Sequence, residues 1–411
     1  MLTRLRARGF KSLIDVELTL PQLTVLFGPN AAGKSNIIEA AQLLSAVTTR
    51  LTLADAFDGF TIRGNPLEAF AFPAGGLPAL LERSRAGLTL EADLALGEET
   101  LRYRVGIQMR PESGSLTVDD EYLTRLDRHG VPKHGALIEP DDGHLVVRRS
   151  ARGRPVSEQL GYNYTLISDR RLSGERYEHI ERCRREFEQW RVYYLDPRVN
   201  MRAPRPPREV RDIGVLGQDI APYLHRLQVE HPEPFAAVKR TLSALIPGIR
   251  NLEVELDEKR GLLDIAIEQE GRRVSSRIVS EGTLRVLAVC AIAANPWTHG
   301  LVAFEEPENG VHPRRLELLA QLLKSIAIDQ GRQLIVTTHS PLFCAAMLRL
   351  TAGCREQMAM LNVQRDARGT TVKQIEFADS LFESGELAEG FSSQTADGIF
   401  EGLILRGILD E

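Results

Sequence analysis

Two glycines five positions apart, followed at once by a lysine and a serine, are the residues of this chain best suited to chemistry: Gly28-Pro29-Asn30-Ala31-Ala32-Gly33-Lys34-Ser35. The spacing fits G-x-x-x-x-G-K-[ST]. The glycines allow the backbone to curl until its N–H groups face one hollow, where a phosphate chain sits at the positive end of the following helix. Lys34 is placed to reach β- and γ-phosphates, and the Ser35 hydroxyl to bind Mg²⁺. The candidate nucleotide-binding residues are therefore Gly28, Pro29, Asn30, Ala31, Ala32, Gly33, Lys34, Ser35 and Asn36. The competing reading is an ordinary glycine turn.

A second group of reactive residues lies far along the chain. The apolar run Leu301-Val302-Ala303-Phe304 ends in Glu305-Glu306. One carboxylate at such a strand end can order Mg²⁺ through its water shell, and the next can polarise an attacking water. We assign Glu305 to the metal and Glu306 to the base. Gln333-Leu334-Ile335-Val336-Thr337 ends in Thr338-His339-Ser340. This sets His339 at the carboxyl end of a buried strand, where α/β sheets bind ligands, as a γ-phosphate sensor. Ser280-Glu281-Gly282-Thr283 opens an apolar helix that continues to about Ala294, with Ser280 as N-cap and bare N–H groups beside it. The competing readings of these three segments are an acidic surface turn, a structural histidine and a plain helix start.

The elements that must hold these residues can be read around them. Leu23-Thr24-Val25-Leu26-Phe27 is a buried strand, and a helix runs from Ser35 to about residue 47. Leu2 to Arg8 and Ile14 to Leu20 alternate as half-exposed strands do. Three period-two runs, 87–94, 100–107 and 115–118, predict an antiparallel meander. The stretch 147–211 holds sixteen arginines, no lysine and nine acidic residues, with Tyr162, Tyr164, Tyr177, Trp190, Tyr193 and Tyr194 interleaved. Within it, 173–190 predicts a charged surface helix and 203–208 a stiff connector. The stretch reads either as a solvated helix with a linker or as a surface for a phosphate backbone. A helical pattern returns over 212–248, and a hairpin is expected around Lys259-Arg260-Gly261.

Composition narrows the class. The net charge of −5 excludes a chain that binds nucleic acid by its overall charge. Cys183, Cys290, Cys344 and Cys354 form no C-x-x-C pair, so free thiols in a reducing compartment are expected, and no zinc site. The longest apolar run, Val286 to Ala294, is too short to span a bilayer, and the N-terminus lacks the apolar core of a secretory signal. The expectation is a cytoplasmic protein without a membrane partner.

In this order the pieces resemble the ATP-binding-cassette class of ATPases, on its RecF, structural-maintenance-of-chromosomes (SMC) and OLD-type branch. Gly9-Phe10-Lys11-Ser12 with Leu23 to Asn30 is similar to that branch's opening, Ser280-Glu281-Gly282-Thr283 to its signature, Glu306-Pro307-Glu308-Asn309-Gly310-Val311-His312-Pro313 to its Walker B and D-loop, and Thr337-Thr338-His339-Ser340 to its switch histidine. The resemblance implies an α/β fold: a P-loop NTPase head with an antiparallel β subdomain and a helical insertion. We expect one head over 1–411, with core lobes at 1–50 and 212–411, a β-rich subdomain at 51–146 and an Arg-rich insertion and linker at 147–211. It implies ATP and Mg²⁺ as cofactors and ATP hydrolysis as the activity. Lys34, Glu306 and His339 would be catalytic, Ser35 and Glu305 metal-binding, and Ser280 and Gly282 nucleotide-binding.

It further implies an ATP-dependent homodimer, each nucleotide lying between the Lys34 loop of one copy and the Ser280–Gly282 signature of the other, with Asn309 across the interface. The dimer would act on DNA, through 147–211, or on an effector protein, in repair or phage defence. Alternatives are an ATP-switched scaffold with little turnover and the nucleotide-binding subunit of a transporter. The chain departs from the branch in three ways. Glu305 stands where Asp is usual. No long coiled-coil arm is present. The final seventy residues, with Asp379, Glu383, Glu386, Glu389 and Asp397, lack the Asp-x-Asp pair of a Toprim nuclease. The Q-loop glutamine is not identified among Gln42, Gln108 and Gln218.

Overall fold

The computed structural model describes residues 1–58, 61–149, 154–351 and 354–375; the five acidic residues from Asp379 to Asp397 lie outside them. In chain order the strands are β1 (Leu2–Phe10), β2 (Leu13–Thr19), β3 (Leu23–Phe27), β4 (Ala86–Leu96), β5 (Glu99–Arg110), β6 (Ser115–Leu126), β7 (Ile138–Asp141), β8 (His144–Val147), β9 (Val156–Gln159), β10 (Arg191–Tyr193), β11 (Ile249–Asp257), β12 (Leu262–Gln269), β13 (Arg272–Ser275), β14 (Val302–Glu305), β15 (Leu334–Thr338), β16 (Met358–Asp366) and β17 (Gly369–Gln374). The helices are α1 (Lys34–Thr49), α2 (Leu53–Phe57), α3 (Gly76–Leu81), α4 (Glu178–Glu188), α5 (Ile220–Glu230), α6 (Pro232–Leu245), α7 (Glu281–Ala293), α8 (Leu316–Lys324) and α9 (Pro341–Thr351). The chain divides into two units. The first comprises Met1–Pro21, Pro29–Trp190 and Val363–Lys373. The second comprises Gln22–Gly28 and Arg191–Asn362, together with the chain from Gln374 onward. The division falls inside the glycine motif, between Gly28 and Pro29.

The first unit is built on an antiparallel sheet in the order β2-β1-β4-β5-β6-β7-β8-β9. The expected meander is therefore present, lengthened by the two N-terminal strands: β1 pairs with both β2 and β4. Alternation explains the placement. Leu5, Ala7, Leu88, Leu90, Tyr103 and Val105 are buried, while Arg4, Arg6 and Arg8 point to the other face. There they meet carboxylates from neighbouring strands: Arg4 on Glu17 (2.8 Å), Arg6 on Asp15 (2.9 Å) and, one strand further, Arg102 on Asp93 (2.7 Å). Each such cross-strand pair contributes roughly 0.2–1 kcal/mol. Beneath the sheet, α1 hydrogen-bonds α4 through Ser45 Oγ and the Phe187 carbonyl (2.7 Å).

The surface helix expected over 173–190 is shorter and less exposed than its charge suggests. Gly174, at φ 72°, breaks the run, and α4 begins only at Glu178. Ile180, Cys183, Arg184 and Phe187 form its buried stripe. Arg184 is 1 % exposed; its guanidinium donates to the carbonyls of Ile167 (2.6 Å), Asp169 (2.9 Å) and Leu172 (2.7 Å). It closes a loop from inside the fold and belongs to no surface.

The second unit has a parallel sheet, β10-β14-β15-β3-β16. Parallel strands are covered on both faces, which is why β3 and β15 are buried at every residue. Its core joins these strands to α5, α6 and α7 and to the antiparallel sheet β11-β12-β13. The hairpin expected at Lys259-Arg260-Gly261 is the β11–β12 turn. Beyond the sheet, β16 continues into the first unit and pairs there with β17.

Candidate functional site

In the first unit the glycine motif is a shaped loop. Gly33 has φ 109° and Ala31 φ 63°, so left-handed residues alternate with ordinary ones, the pattern that turns successive N–H groups toward one concavity. Helix α1 starts at Lys34 with no capping side chain and no acidic residue in its first turn. A helix start of this kind, with its positive dipole end, suits an anion. The Lys34 ammonium folds back over the loop onto the Pro29 carbonyl (2.7 Å), and the side chain is largely buried. Behind the loop, Ser12, Asn36 and Thr370 join in hydrogen bonds that reach the Ala32 carbonyl (2.9 Å). The preceding turn is fixed too. Lys11, at φ 48°, pairs with Glu39 of α1, and Arg63 holds the other Glu39 oxygen (3.0 Å). A Cβ on Gly33 would strike both Thr370 Oγ1 and Ser12 Oγ. The loop accepts only glycine there, as a phosphate cradle requires.

In the second unit, strands β14 and β15 end side by side, Glu305 in register with Thr337. Glu306 follows at φ 46°, left-handed backbone that a glutamate adopts at a cost on the order of 1 kcal/mol. The turn aims its carboxylate at two donors. Oε1 meets His339 Nδ1 at 2.7 Å and Oε2 accepts from Asn309 Nδ2 at 2.6 Å. A carboxylate offers about four lone-pair sites, so this clamp orients Glu306 and leaves lone pairs over. Glu306 and His339 keep solvent access, at 29 % and 44 % side-chain exposure. Asn309, which the resemblance sets across a dimer interface, has this bond within its own chain.

Two neighbouring features had no role in the sequence reading. Glu308 is buried; one carboxylate oxygen takes the Thr338 hydroxyl and the other has no partner. Burial pushes this carboxyl up to about 7. The second feature is backbone. A Cβ on Gly282 would lie 2.5 Å from the Gly310 carbonyl oxygen, so the start of α7 is pressed directly against the D-loop turn. Ser280 is the N-cap of α7, accepting from Thr283 N at 3.1 Å. Glu281 in the first turn sits 3.8 Å from Arg198.

The positions expected from the sequence to bind nucleotide or metal or to act in catalysis fall into the two units: Pro29 to Asn36 in the first, and Gly28, Ser280, Gly282, Glu305, Glu306 and His339 in the second. Among the described residues no group of three His, Cys, Asp or Glu could hold a metal ion. A divalent cation would be bound as Mg²⁺ usually is, by one or two protein oxygens together with phosphates. Ser35 in the first unit and Glu305 in the second each carry an oxygen donor of that kind. Among the described residues no helix is long and apolar enough to cross a membrane.

A family model described as "AAA domain, putative AbiEii toxin, Type IV TA system" matches residues 23–345. The chain belongs to this AAA family. It is a P-loop ATPase of the kind expected. The OLD nuclease of Thermus scotoductus is 24% identical over 397 residues, a match covering 89% of this chain and 65% of that protein. The chain therefore spans slightly less than two thirds of that relative's length. The energy-coupling factor transporter ATP-binding protein EcfA2 of Staphylococcus aureus is 28% identical over only 101 residues, 23% of this chain and 34% of its own. Among solved structures, an SMC head bound to the C-winged helix domain of ScpA matches with a TM-score of 0.53 and 15% identity, over 92% of this chain and 99% of that one. That likeness places the α/β fold of this AAA-family ATPase with SMC heads.

The arginine-rich stretch of this ATPase is largely engaged where it is helical. Arg182 holds Glu99 (2.9 Å) and the Leu96 carbonyl (2.6 Å), Arg185 holds Glu181 (2.9 Å) and Arg170 holds Glu188 (3.0 Å). Of the positions that sequence reasoning missed, Glu308 and Thr338 lay inside quoted motifs and could have been weighed. Thr370 carries no local signal, because only the fold brings it 338 positions back to Ala32.

Proposed function

We propose that this chain is a Mg²⁺-dependent ATPase whose two copies close on shared ATP, driving a partner protein in repair or defence. The observation that carries the reading is the contact of Gly282 with Gly310. It ties the exposed start of the signature helix to the turn whose Asn309 clamps Glu306. In a closed pair, phosphate arriving from the second copy at Ser280 and Gly282 would press on the segment that aims this copy's own base.

The step is the attack of water on the γ-phosphorus of ATP. The water proton passes to Glu306, an oxygen–phosphorus bond forms, and the bond to the β–γ bridging oxygen breaks, releasing ADP and phosphate. Lys34 and the loop N–H groups hold the phosphate oxygens against movement. His339 orients Glu306 and, with its exposed edge, meets the γ-phosphate. Mg²⁺, when bound, neutralises β- and γ-phosphate charge; Ser35 and Glu305 are the residues that would hold it.

A protein is favoured over DNA as the partner, because the α4 arginines already hold carboxylates and carbonyls. The test is Glu306→Gln at saturating ATP and Mg²⁺, read by light scattering. The expected result is a long-lived ATP-bound dimer; a monomer at all protein concentrations sinks the shared-ATP model. The second reading, an ATP-switched scaffold, draws on Glu305 at the metal position. It would be favoured if wild-type turnover equals that of Lys34→Ala.

A further inference from the structure

We propose that Thr370, on the β17 hairpin, is a positioning residue for nucleotide: it sets the direction in which the phosphate loop presents the Gly33 N–H. The proposal rests on the chain being a P-loop ATPase, and on nothing about dimerisation. Its basis is a hydrogen-bond relay in which every proton has one place to go. Thr370 Oγ1 donates to the Ala32 carbonyl at 2.9 Å. With that proton committed, the 2.7 Å contact between Ser12 Oγ and Thr370 Oγ1 must be donated by Ser12. Ser12 then keeps a lone pair, which accepts from Asn36 Nδ2 at 2.7 Å. The relay runs one way, from the first turn of α1 through Ser12 and Thr370 back to the loop. The Thr370 N–H also donates to the Ser12 carbonyl at 2.8 Å, locking the hairpin to the turn after β1.

The consequence follows from peptide geometry. In a trans peptide the carbonyl oxygen of one residue and the N–H of the next point in opposite directions. Anchoring the Ala32 oxygen on Thr370 therefore turns the Gly33 N–H to the opposite side, into the hollow of the loop. Thr370, Ser12 and Ala32 are all nearly buried, at 6 %, 7 % and 2 % exposure. Water has little access to replace a lost partner, and an unanswered carbonyl in such a place is costly. The loop would answer the loss by rotating the peptide, taking the N–H away from phosphate. Gly33 also packs so closely on the Thr370 and Ser12 hydroxyls that a Cβ there would clash with both.

The experiment uses the full chain and a fluorescent ADP, which has no γ-phosphate to bridge two copies and so reads the loop alone. Thr370→Val keeps the shape of the side chain and removes the hydroxyl. Its Kd for ADP should rise about tenfold, and the matching loss with ATP should appear in KM more than in kcat. Thr370→Ser restores the hydroxyl and should return Kd to within about twofold of wild type. Should Thr370→Val fail to fold, Ser12→Ala breaks the same relay one step earlier and should raise Kd in the same direction. An unchanged Kd in the folded Thr370→Val protein, or a Thr370→Ser protein as weak as Thr370→Val, overturns the proposal. So does a wild-type chain that binds no ADP. Failure of the Glu306→Gln protein to dimerise would leave these constants untouched, so the two readings fail separately.

Discussion

The phosphate loop of the first unit and the carboxylate end of the parallel sheet in the second are built on opposite principles. Around the loop the polar groups are answered: Ala32 by Thr370, Ser12 by Asn36, Glu39 by Lys11 and Arg63, the Lys34 ammonium by Pro29. Its left-handed positions include Gly33, where a glycine meets the need, as well as Ala31. The carboxylate end is left tense and open. Glu306 holds left-handed backbone without being glycine, Glu308 keeps a buried oxygen without a partner, and His339 faces solvent. The difference separates binding from reaction. A group that grips ground-state phosphate profits from being finished beforehand, since ordering costs are then met during folding. A group that must act only when its surroundings are complete can be held short of completion.

The largest effect should come from the finished half. Lys34→Ala removes the cation that neutralises phosphate charge, and turnover should fall by about a hundredfold or more. Phosphate release under saturating ATP measures it, with fluorescent ADP reporting binding. A loss of kcat at wild-type affinity would break the comparison, since it would put Lys34 on the reaction side alone.

The paired glycines sharpen it next. Gly33 and Gly282 each lack room for a Cβ, yet in different ways: Gly33 meets two hydroxyls at φ 109°, Gly282 meets the backbone of Gly310. Gly33→Ala should abolish ADP binding. Gly282→Ala should leave ADP binding near wild type and lower kcat some tenfold or more, because the D-loop must shift. Equal losses of ADP affinity in both proteins would deny the separation. A smaller effect is expected from Asn309→Ala, which frees one oxygen of Glu306: roughly tenfold in kcat with KM little changed, as for one lost charge-assisted bond.

Legibility in the sequence divides along the same line. Lys34, Ser35, Glu306 and His339 could be singled out as candidates because phosphate chemistry fixes residue type and short spacing, and because apolar runs such as Leu23 to Phe27 announce buried parallel strands. The meander was readable from its alternation; its extension by β1 and β2 was not, since strand partners are chosen by long-range pairing. The arginines misled for a related reason. Composition counts Arg184 as surface charge, whereas the fold uses it to bind three loop carbonyls. Thr370 was invisible because its meaning depends wholly on contacts with Ser12 and Ala32, far away in the chain. Nor does sequence predict that Glu306 takes a left-handed backbone, which follows from the turn that joins β14 to the D-loop.

The smallest effect concerns the unanswered oxygen of Glu308 and is read in stability. Its carboxyl is raised by burial to about 7 from an ordinary 4.5, so the folded chain keeps a proton that the unfolded chain gives up. Between about pH 4.5 and 7 the unfolded state therefore binds fewer protons, and stability falls as pH rises, levelling off above 7. The full penalty from this one group is on the order of 3 kcal/mol. Glu308→Gln keeps an acceptor for the Thr338 hydroxyl and removes the charge. It should unfold at higher denaturant than wild type at pH 8, and nearly with wild type at pH 4.5. The slope will flatten only in part, because Glu121, fully buried in the first unit, is also pushed up to about 7 by burial. Glu121 differs in having its oxygens filled by the N–H groups of Leu166 and Ile167 and the hydroxyl of Tyr103. Glu121→Gln would set an amide N–H against one of those donors, and should destabilise the chain at both pH values. Chemical denaturation of the two variants at pH 4.5 and 8 thus compares an unfinished carboxylate with a finished one. If Glu308→Gln also loses stability at pH 8, the second oxygen is answered in solution, and the tension ascribed to that end of the sheet resides in the Glu306 backbone alone.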